Sequence, residues 1–342
     1  MEINKIIITN LPAFYKINLF NKISECEKIF VVFTGKTAEV RNEDFFKKDL
    51  IKFDYIDLSG RSSSIKYLLL LKLLITANYK ELVIGGWDEP LLYIAAFFSP
   101  KKKNSVIVES SIYESQTQGL KAEIKKFFLK RQNCAYASGK SQIQLLKALG
   151  FNGAIKKTKG VGIFNYVNQP VYEGRKNVKD FLYVGRLSEE KNLSLLMRVF
   201  SQLADFNLHI IGFGPLEKHL KSTAPKNVKF YGSIDNNKLH IYYTNFDVLL
   251  LPSKSEPWGL VVEEALNNGM PVIASNKVGC VDEVLVDGYN GLVFTLDDNS
   301  DDNLRNTILQ IADIITYNKF RHNISDMDFS KISDEQVKIY TR

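Results

Sequence analysis

Cysteine is scarce in this chain: three residues in 342, at Cys26, Cys134 and Cys280, each far from the others. No CxxC pair and no Cys/His cluster is present, which argues against a disulfide framework or a zinc site and points to a reducing, cytosolic setting. Long apolar runs are missing as well. The longest, YLLLLKLLIT at 67–76, is about half of what a membrane-spanning helix needs and carries Lys72, so it predicts a buried helix. The start, MEINKIIITNL, has no basic stretch leading into a long apolar one, so no signal peptide is expected. There is no internal repeat and no low-complexity tract. An RNP-like aromatic motif and a helix-turn-helix signature are also absent, which leaves a basic nucleic-acid-binding module as a distant alternative.

What is present is the composition of an ordinary globular protein, 45% hydrophobic and 24% charged. The length is about twice that of a typical domain, so two domains of similar size are expected. Net charge is +7 and the pI is near 9.0. That balance favours an anionic partner: nucleic acid, anionic lipid or a phosphorylated small molecule.

Short apolar runs alternate with amphipathic stretches throughout. Strands are predicted at 5–9, 28–33, 53–58, 81–85, 105–109 and 134–138, then at 181–185, 208–212, 228–232, 247–251, 271–275 and 291–294. Helix-like segments fall between them, including 62–78, 118–131 and 139–149. Strands separated by helices imply parallel sheets covered on both faces. The expected fold class is therefore α/β, with two doubly wound domains. Residues 165–180, polar and containing Pro170 and Gly174, read as the join. The acidic stretch LDDNSDD at 296–302 reads as the start of a helix over 303–317 rather than as a metal site.

One segment carries most of the chemistry: SEPWGLVVEEALNNGMP, residues 255–271. It follows the buried strand DVLLL, and ligands of open parallel sheets bind beyond the carboxyl ends of strands. A helix is predicted from Gly259 to Asn268, stopped by Gly269 and Pro271. The N–H groups of Gly259, Leu260 and Val261 lack partners within that helix. Gly259 also lets a ligand approach the main chain closely. A phosphate fits there, yet Glu256 is adjacent, and the helix dipole contributes only about 0.3–1 kcal/mol at an exposed terminus. Further cations are needed, with Glu256 accepting from neutral hydroxyls and Glu264 accepting from a diol such as a ribose. Arg186 and Lys191, in GRLSEEKN after the strand FLYVG, are the candidate cations. Taken alone they read equally well as a surface pair beside Glu189 and Glu190. The loop GFGPLEKHL at 212–220 fails as a dinucleotide fingerprint, because Glu217 occupies the third glycine position. It reads as a tight turn exposing backbone near a ligand.

In order and spacing these pieces resemble the retaining GT-B glycosyltransferases of family 4, the group 1 glycosyltransferases. The resemblance covers VGRLSEEKNLSLL (184–196), IIGFGP (210–215), VKFYGSIDNNKL (228–239), DVLLLPSKSEPWGLVVEEALNNGMPVIAS (247–275) and GLVF (291–294). Its specific part is the E-x7-E element, Glu256 to Glu264, with its Gly-Leu pair. The resemblance implies two Rossmann-like domains facing a central cleft. They would be an acceptor-binding one over 1–168 and a nucleotide-sugar-binding one over 178–320, with a helical segment, 321–342, packing back on the first. It implies that Arg186 and Lys191 hold the donor pyrophosphate beside the backbone of Gly259, Leu260 and Val261. Glu256 would contact hydroxyls of the donor sugar and Glu264 the ribose, with Gly185 and Gly214 lining the donor site and the base near Ser233 and Ile234. Catalysis would rest on Glu256, Arg186 and Lys191, with no metal, no other cofactor and no protein nucleophile.

The first half departs from the family pattern. TNLPAFYKINLF (9–20) has no glycine-rich loop, so Tyr15 and Lys16 are assigned to the acceptor side. VIVESSIYES (106–115) offers Glu109 where many relatives have a histidine, and Glu109 reads either as a substrate contact or as a helix cap. The expected activity is transfer of a hexose from a UDP-sugar, or next a GDP-sugar, to a saccharide or lipid-linked saccharide in surface-glycan synthesis. A sugar-nucleotide 2-epimerase is the alternative. KAEIKKFFLKR (121–131) sets Ile124, Phe127 and Phe128 on one stripe among lysines, with PKKKN (100–104) in the same half. The favoured reading packs that stripe on the sheet. The second rests the helix on an anionic membrane, giving a cytoplasmic protein held at the inner face of the plasma membrane.

Overall fold

The computed structural model describes residues 2–35, 46, 48–169, 171, 172 and 174–342; Pro170, one marker of the expected join, lies outside them. The chain forms two compact units, Met1–Phe164 with Lys331–Arg342, and Asn165–Ser330.

The first unit is built on strands β1 (Ile3–Thr9), β2 (Ile29–Phe33), β3 (Asp54–Asp57), β4 (Tyr79–Ile84), β5 (Asn104–Val108), β6 (Cys134–Ala137) and β7 (Ala154–Lys157). Their order is β3-β2-β1-β4-β5-β6-β7, with every neighbour parallel. Helices α1 (Phe14–Cys26), α2 (Ser63–Thr76), α3 (Pro90–Phe98), α4 (Leu120–Leu129) and α5 (Lys140–Ala148) supply the crossovers. Successive side chains of a strand point to opposite faces. Ile6 and Ile8, Leu82 and Ile84, and Val106 and Val108 accordingly share one core with Leu70 of α2, Leu91 of α3, Phe128 of α4 and Leu145 of α5. β7 went unpredicted because it is a lysine-bearing edge strand with one aliphatic residue longer than alanine, Ile155, and charge on an edge is how such strands avoid pairing further.

Two helices differ from expectation in the same way. The run at 67–76 is not a buried helix: α2 buries Leu70 and Leu74 while Leu68 is 67% and Ile75 75% exposed. In α4 the supposed single stripe is divided. Phe128 is buried with Ala122 and Leu129, whereas Ile124 and Phe127 are 46% and 57% exposed. At about 100° per residue, positions 120, 124 and 127 fall together on the side away from 122 and 129. Phe127 stacks instead on Phe97 at the end of α3, ring centroids 4.8 Å apart.

The second unit contains β8 (Asp180–Val184), β9 (Asn207–Ile211), β10 (Val228–Gly232), β11 (Val248–Leu251), β12 (Val272–Ser275) and β13 (Gly291–Phe294), all parallel in the order β10-β9-β8-β11-β12-β13. Its helices are α6 (Leu193–Phe200), α7 (Glu217–Thr223), α8 (Leu239–Asn245), α9 (Leu260–Asn267), α10 (Ser300–Ala312) and α11 (Ile314–Ser325). Direction along the sheet reverses at β8, which lies between β9 and β11. The helix expected over 303–317 is two helices. Asp313 ends α10 and caps α11, its carboxylate accepting from Thr316 N–H at 2.9 Å. Asp301 and Asp302 lie in the first turn of α10.

The last helix, α12 (Phe329–Thr341), places most of its length in the first unit. Tyr340, buried, stacks on Tyr136 of β6 with centroids 4.5 Å apart, and Lys22 of α1 meets Asp334 at 2.8 Å. Tyr340→Ala is expected to destabilise the first unit by about 3–5 kcal/mol, the range for truncating a buried aromatic. Denaturant unfolding followed by tyrosine fluorescence would measure it.

Candidate functional site

The loops after β8 and β11 leave neighbouring strands at the point where strand order reverses, which is where open α/β sheets hold ligands. Hydrogen bonds tie these two loops together. Lys254 N–H donates to Glu190 O at 2.8 Å and Asn192 Nδ2 to Pro252 O at 3.2 Å. The loop after β12 closes the other side: Glu256 N–H donates to Lys277 O at 3.1 Å and Gly279 N–H to Glu256 O at 2.9 Å. Gly279 has to be glycine there, since a Cβ would stand 1.8 Å from Pro257 O.

Within this frame Lys191 and Glu256 form an ion pair through a short Nζ–Oε2 contact, both side chains largely buried. Arg186 meets Glu190 at 3.0 Å, and Ser188 Oγ donates to the same carboxylate oxygen at 2.5 Å. Burial opposes the charge on Glu190, but the Ser188 hydroxyl and the Arg186 cation outweigh it and hold its pKa below the usual carboxylate value. Tyr183, fully buried on β8, donates its hydroxyl to Arg186 O at 2.8 Å; burial first, then Glu256 and Glu190, pushes its pKa up. Arg186, Lys191, Glu190 and Glu256 thus form one local cluster of alternating charge.

α9 begins beside it. Gly259 caps the helix in the left-handed region, φ +94°, and among the described residues the N–H groups of Gly259, Leu260 and Val261 make no hydrogen bond to the protein. Three amides therefore remain open to an anionic ligand. Further along α9, Tyr243 of α8 donates to Glu264 Oε2 at 3.0 Å, and among the described residues Glu264 Oε1 accepts nothing. Glu264 is half-buried overall, yet burial of its carboxyl pushes the pKa up to about 7 against a smaller opposing effect of Tyr243. Its neighbour Glu263 is buried, accepts from Trp258 Nε1 at 3.0 Å, and is raised to about 8, chiefly by burial.

Gly185 and Gly214 sit at the rim, but their immediate use is loop contact. A Cβ on Gly214 would lie 2.5 Å from Leu187 O, and Leu187 N–H donates to Phe213 O at 2.9 Å. The 212–216 turn packs on the 185–188 loop, so its glycines serve close backbone approach between two loops, a use the sequence did not suggest. Ser233 and Ile234 follow β10 at the same end of the sheet.

The acceptor-side candidates also come together, at the carboxyl ends of β1 and β5 in the first unit. Lys16 is buried, with Nζ 3.0 Å from Glu109 Oε1 and 3.2 Å from Thr9 Oγ1, and lies 5.9 Å from the Tyr15 ring centroid. Burial disfavours its charge, but Glu109 outweighs that and holds the pKa above the ordinary lysine value. Glu109 thus pairs with Lys16, a role outside the two considered for it. Among the described residues no three His, Cys, Asp or Glu side chains form a group able to hold a metal ion, and no helix is long and apolar enough to cross a membrane.

Sequence reasoning named Glu190 only beside Glu189 as a surface neighbour of Arg186 and Lys191, and missed Glu263 as a buried acid and Tyr243. Two of these carried a signal. Glu190 is four residues from Arg186, and Glu263 falls at helical spacing with the buried Leu266. Tyr243 arrives from another helix and carried none.

Residues 168–326 match the family model described as "Glycosyl transferases group 1". An uncharacterized 41.2 kDa protein of the cps region in Klebsiella pneumoniae is 28% identical over 204 residues, 56% of this chain and 54% of that protein. The chain thus spans about half the length of the curated relatives it matches. Among solved structures, Anabaena HepE in complex with UDP and glucose superposes with a TM-score of 0.70 at 16% identity over 97% of both chains. The lipopolysaccharide outer core galactosyltransferase WaaB, in its apo form, gives 0.69 at 16% over 99% of both. At that identity the likeness shows the fold.

Glu263 and Glu264 set a pH dependence. A carboxyl whose folded pKa lies above its unfolded value near 4.5 binds its proton more tightly in the folded state, so stability falls as pH rises from about 4.5 toward about 8. Glu263→Gln, which keeps an acceptor for Trp258, is expected to flatten that fall; unfolding midpoints measured across the window would show it. The chain has the GT-B fold, and its residues 168–326 match the Glycosyl transferases group 1 model.

Proposed function

We propose that this chain is a retaining, metal-independent glycosyltransferase of family 4 that moves a hexose from a nucleoside-diphosphate sugar to a saccharide acceptor. A UDP-sugar is the first choice of donor and a GDP-sugar the second. The observation that carries the reading is the Lys191–Glu256 pair beside three unbonded amides at the reversal point of the second sheet. The ion pair resolves the difficulty of a carboxylate next to a phosphate site. In the free protein Glu256 occupies the cation. When a diphosphate arrives, Lys191 turns to it, and Glu256 is left to accept hydroxyls of the sugar.

Arg186 makes the same exchange with Glu190, adding a fork of donors suited to phosphate oxygens. As the glycosidic bond breaks, charge develops on the departing diphosphate. In this reading the two cations and the amides of Gly259, Leu260 and Val261 stabilise it. The phosphate oxygen then takes the acceptor's proton as the acceptor attacks from the same face, so no protein nucleophile is required. Glu264, with one oxygen held by Tyr243 and the other open, suits a ribose diol. The base would lie by Ser233 and Ile234. UDP bound to HepE supports the choice of donor, and the lipopolysaccharide outer core galactosyltransferase WaaB supports a surface glycan, on a lipid carrier, as the acceptor. Lys16, Glu109 and Tyr15 are assigned to that acceptor. The three free cysteines suit a cytoplasmic setting.

Thermal shift with UDP-, GDP- and ADP-sugars tests the site. A UDP-sugar should raise the unfolding temperature with or without chelator, and Lys191→Ala should abolish the rise. Transfer by Lys191→Ala or Arg186→Ala should fall by about 10²–10³. Equal protection in all variants, loss of protection with chelator, or release of an epimerised sugar without any acceptor would overturn the reading.

A further inference from the structure

Leu239 and Tyr243, four residues apart, form the inward face of α8. An aliphatic side chain would fill the second position in most cores. A tyrosine there needs a partner for its hydroxyl, because a buried hydroxyl left unpaired is penalised. The partner is a carboxylate, Glu264, met across from α9 at 3.0 Å. Burial first, and then Glu264, pushes the Tyr243 pKa well up, so the hydroxyl remains a donor through the neutral range.

The carboxyl of Glu264 has little else to direct it. Among the described residues no lysine or arginine pairs with it, and its acidic neighbour on α9, Glu263, is turned inward to Trp258. The other titratable groups on α8 are engaged elsewhere: His240 with Asn237 O, and Tyr242 against the Tyr231 ring. β12, which packs on α9, carries no charge, and Arg321 of α11 lies past the far end of α9, against Gly269. Asn268 donates to the Glu264 carbonyl rather than to its carboxyl, Nδ2 to O at 2.8 Å. A flexible side chain is thus aimed by one rigid ring.

We infer, on the reading that Glu264 meets the ribose of the donor, that Tyr243 is a positioning residue: its hydroxyl holds one oxygen of Glu264 and aims the other at the 2′- and 3′-hydroxyls, so that an ionised carboxylate reads the diol and gives up its proton to solvent as the diol binds. An ionised carboxylate accepts hydrogen bonds more strongly than a neutral one. Burial holds the Glu264 pKa at about 7 in the free protein, and Tyr243 opposes that rise by favouring the charged form. Recognition of the diol is therefore strongest above about pH 7 and weakens as pH falls through that value. Removing the Tyr243 hydroxyl raises the Glu264 pKa further and moves the weakening to higher pH.

Calorimetric titration of the full chain with UDP and with 2′,3′-dideoxy-UDP, across about two pH units on either side of neutrality, tests this. Both nucleotides carry the same diphosphate, so its own protonation cancels from the ratio of their affinities. In the native chain the ratio should exceed about tenfold at the alkaline end and shrink toward the acid end. Glu264→Gln should leave a small ratio that does not vary with pH. Tyr243→Phe, which keeps the ring, should lower the alkaline ratio by about three- to tenfold and shift its midpoint to higher pH. Tyr242→Phe should change neither. A Tyr243→Phe chain that melts lower still reports, because the ratio compares two ligands on one protein. A tyrosine that merely packs would change melting and leave the ratio untouched. A native ratio near one or flat with pH, a native-like ratio in Glu264→Gln, or a Tyr243→Phe profile that overlays the native one would overturn the inference and leave UDP binding in place. Absence of UDP binding to the native chain would overturn the donor reading and this role together.

Discussion

The ion pair between Lys191 and Glu256 depends on a sheet whose strand order reverses at β8, and the proposed chemistry depends on the ion pair. Parallel strands release their chains at the same edge, so the loops after β8 and β11 meet there. One loop brings an ammonium and a guanidinium, the other a carboxylate and a helix start. Each cation is matched inside the protein, Lys191 by Glu256 and Arg186 by Glu190. A nearly buried lysine without a partner would be costly. The internal carboxylates keep both cations matched in the free protein, and in the proposed reading an anion takes their place.

The interior of α9 adds a second constraint. Glu263 and Glu264 are adjacent acids, both raised by burial, on a helix whose opening amides are unbonded. Glu263 is tied inward to Trp258 and fixes the turn at the helix start. Glu264 is tied to Tyr243 by one oxygen and presents the other. Two neighbouring residues of the same type thus take opposite parts, one in packing and one at the rim of the site. The first unit repeats the principle with Lys16 and Glu109 at the carboxyl ends of its own strands. There the lysine is buried and its carboxylate partner is the more open of the two.

Much of this was legible in the sequence, because local rules and the fold agree. The alternating runs located twelve strands, all of them near their observed positions, since a strand buried on both faces has to be apolar throughout. The E-x7-E element located both glutamates, and Gly259 located the helix start. Three kinds of feature were not legible. β7 hides behind lysines. The break at Asp313 depends on a capping hydrogen bond that competes with an otherwise continuous helical pattern. The outward faces of α2 and α4 were misread because each helix carries apolar residues on two sides, and period alone cannot say which side meets the sheet. Contacts between distant segments, such as Tyr243 with Glu264, leave no local trace at all.

In the proposed site a diphosphate, and not merely a nucleoside or a sugar, is what the pair and the amides hold. Calorimetric titration of the intact protein with UDP, UMP and uridine measures that directly, when repeated on Lys191→Ala. UDP should bind more than about tenfold tighter than UMP, the second phosphate being the one that engages Lys191 and the α9 amides, and Lys191→Ala should erase most of this difference. UMP and UDP binding equally well, with Lys191→Ala affecting both alike, would contradict it.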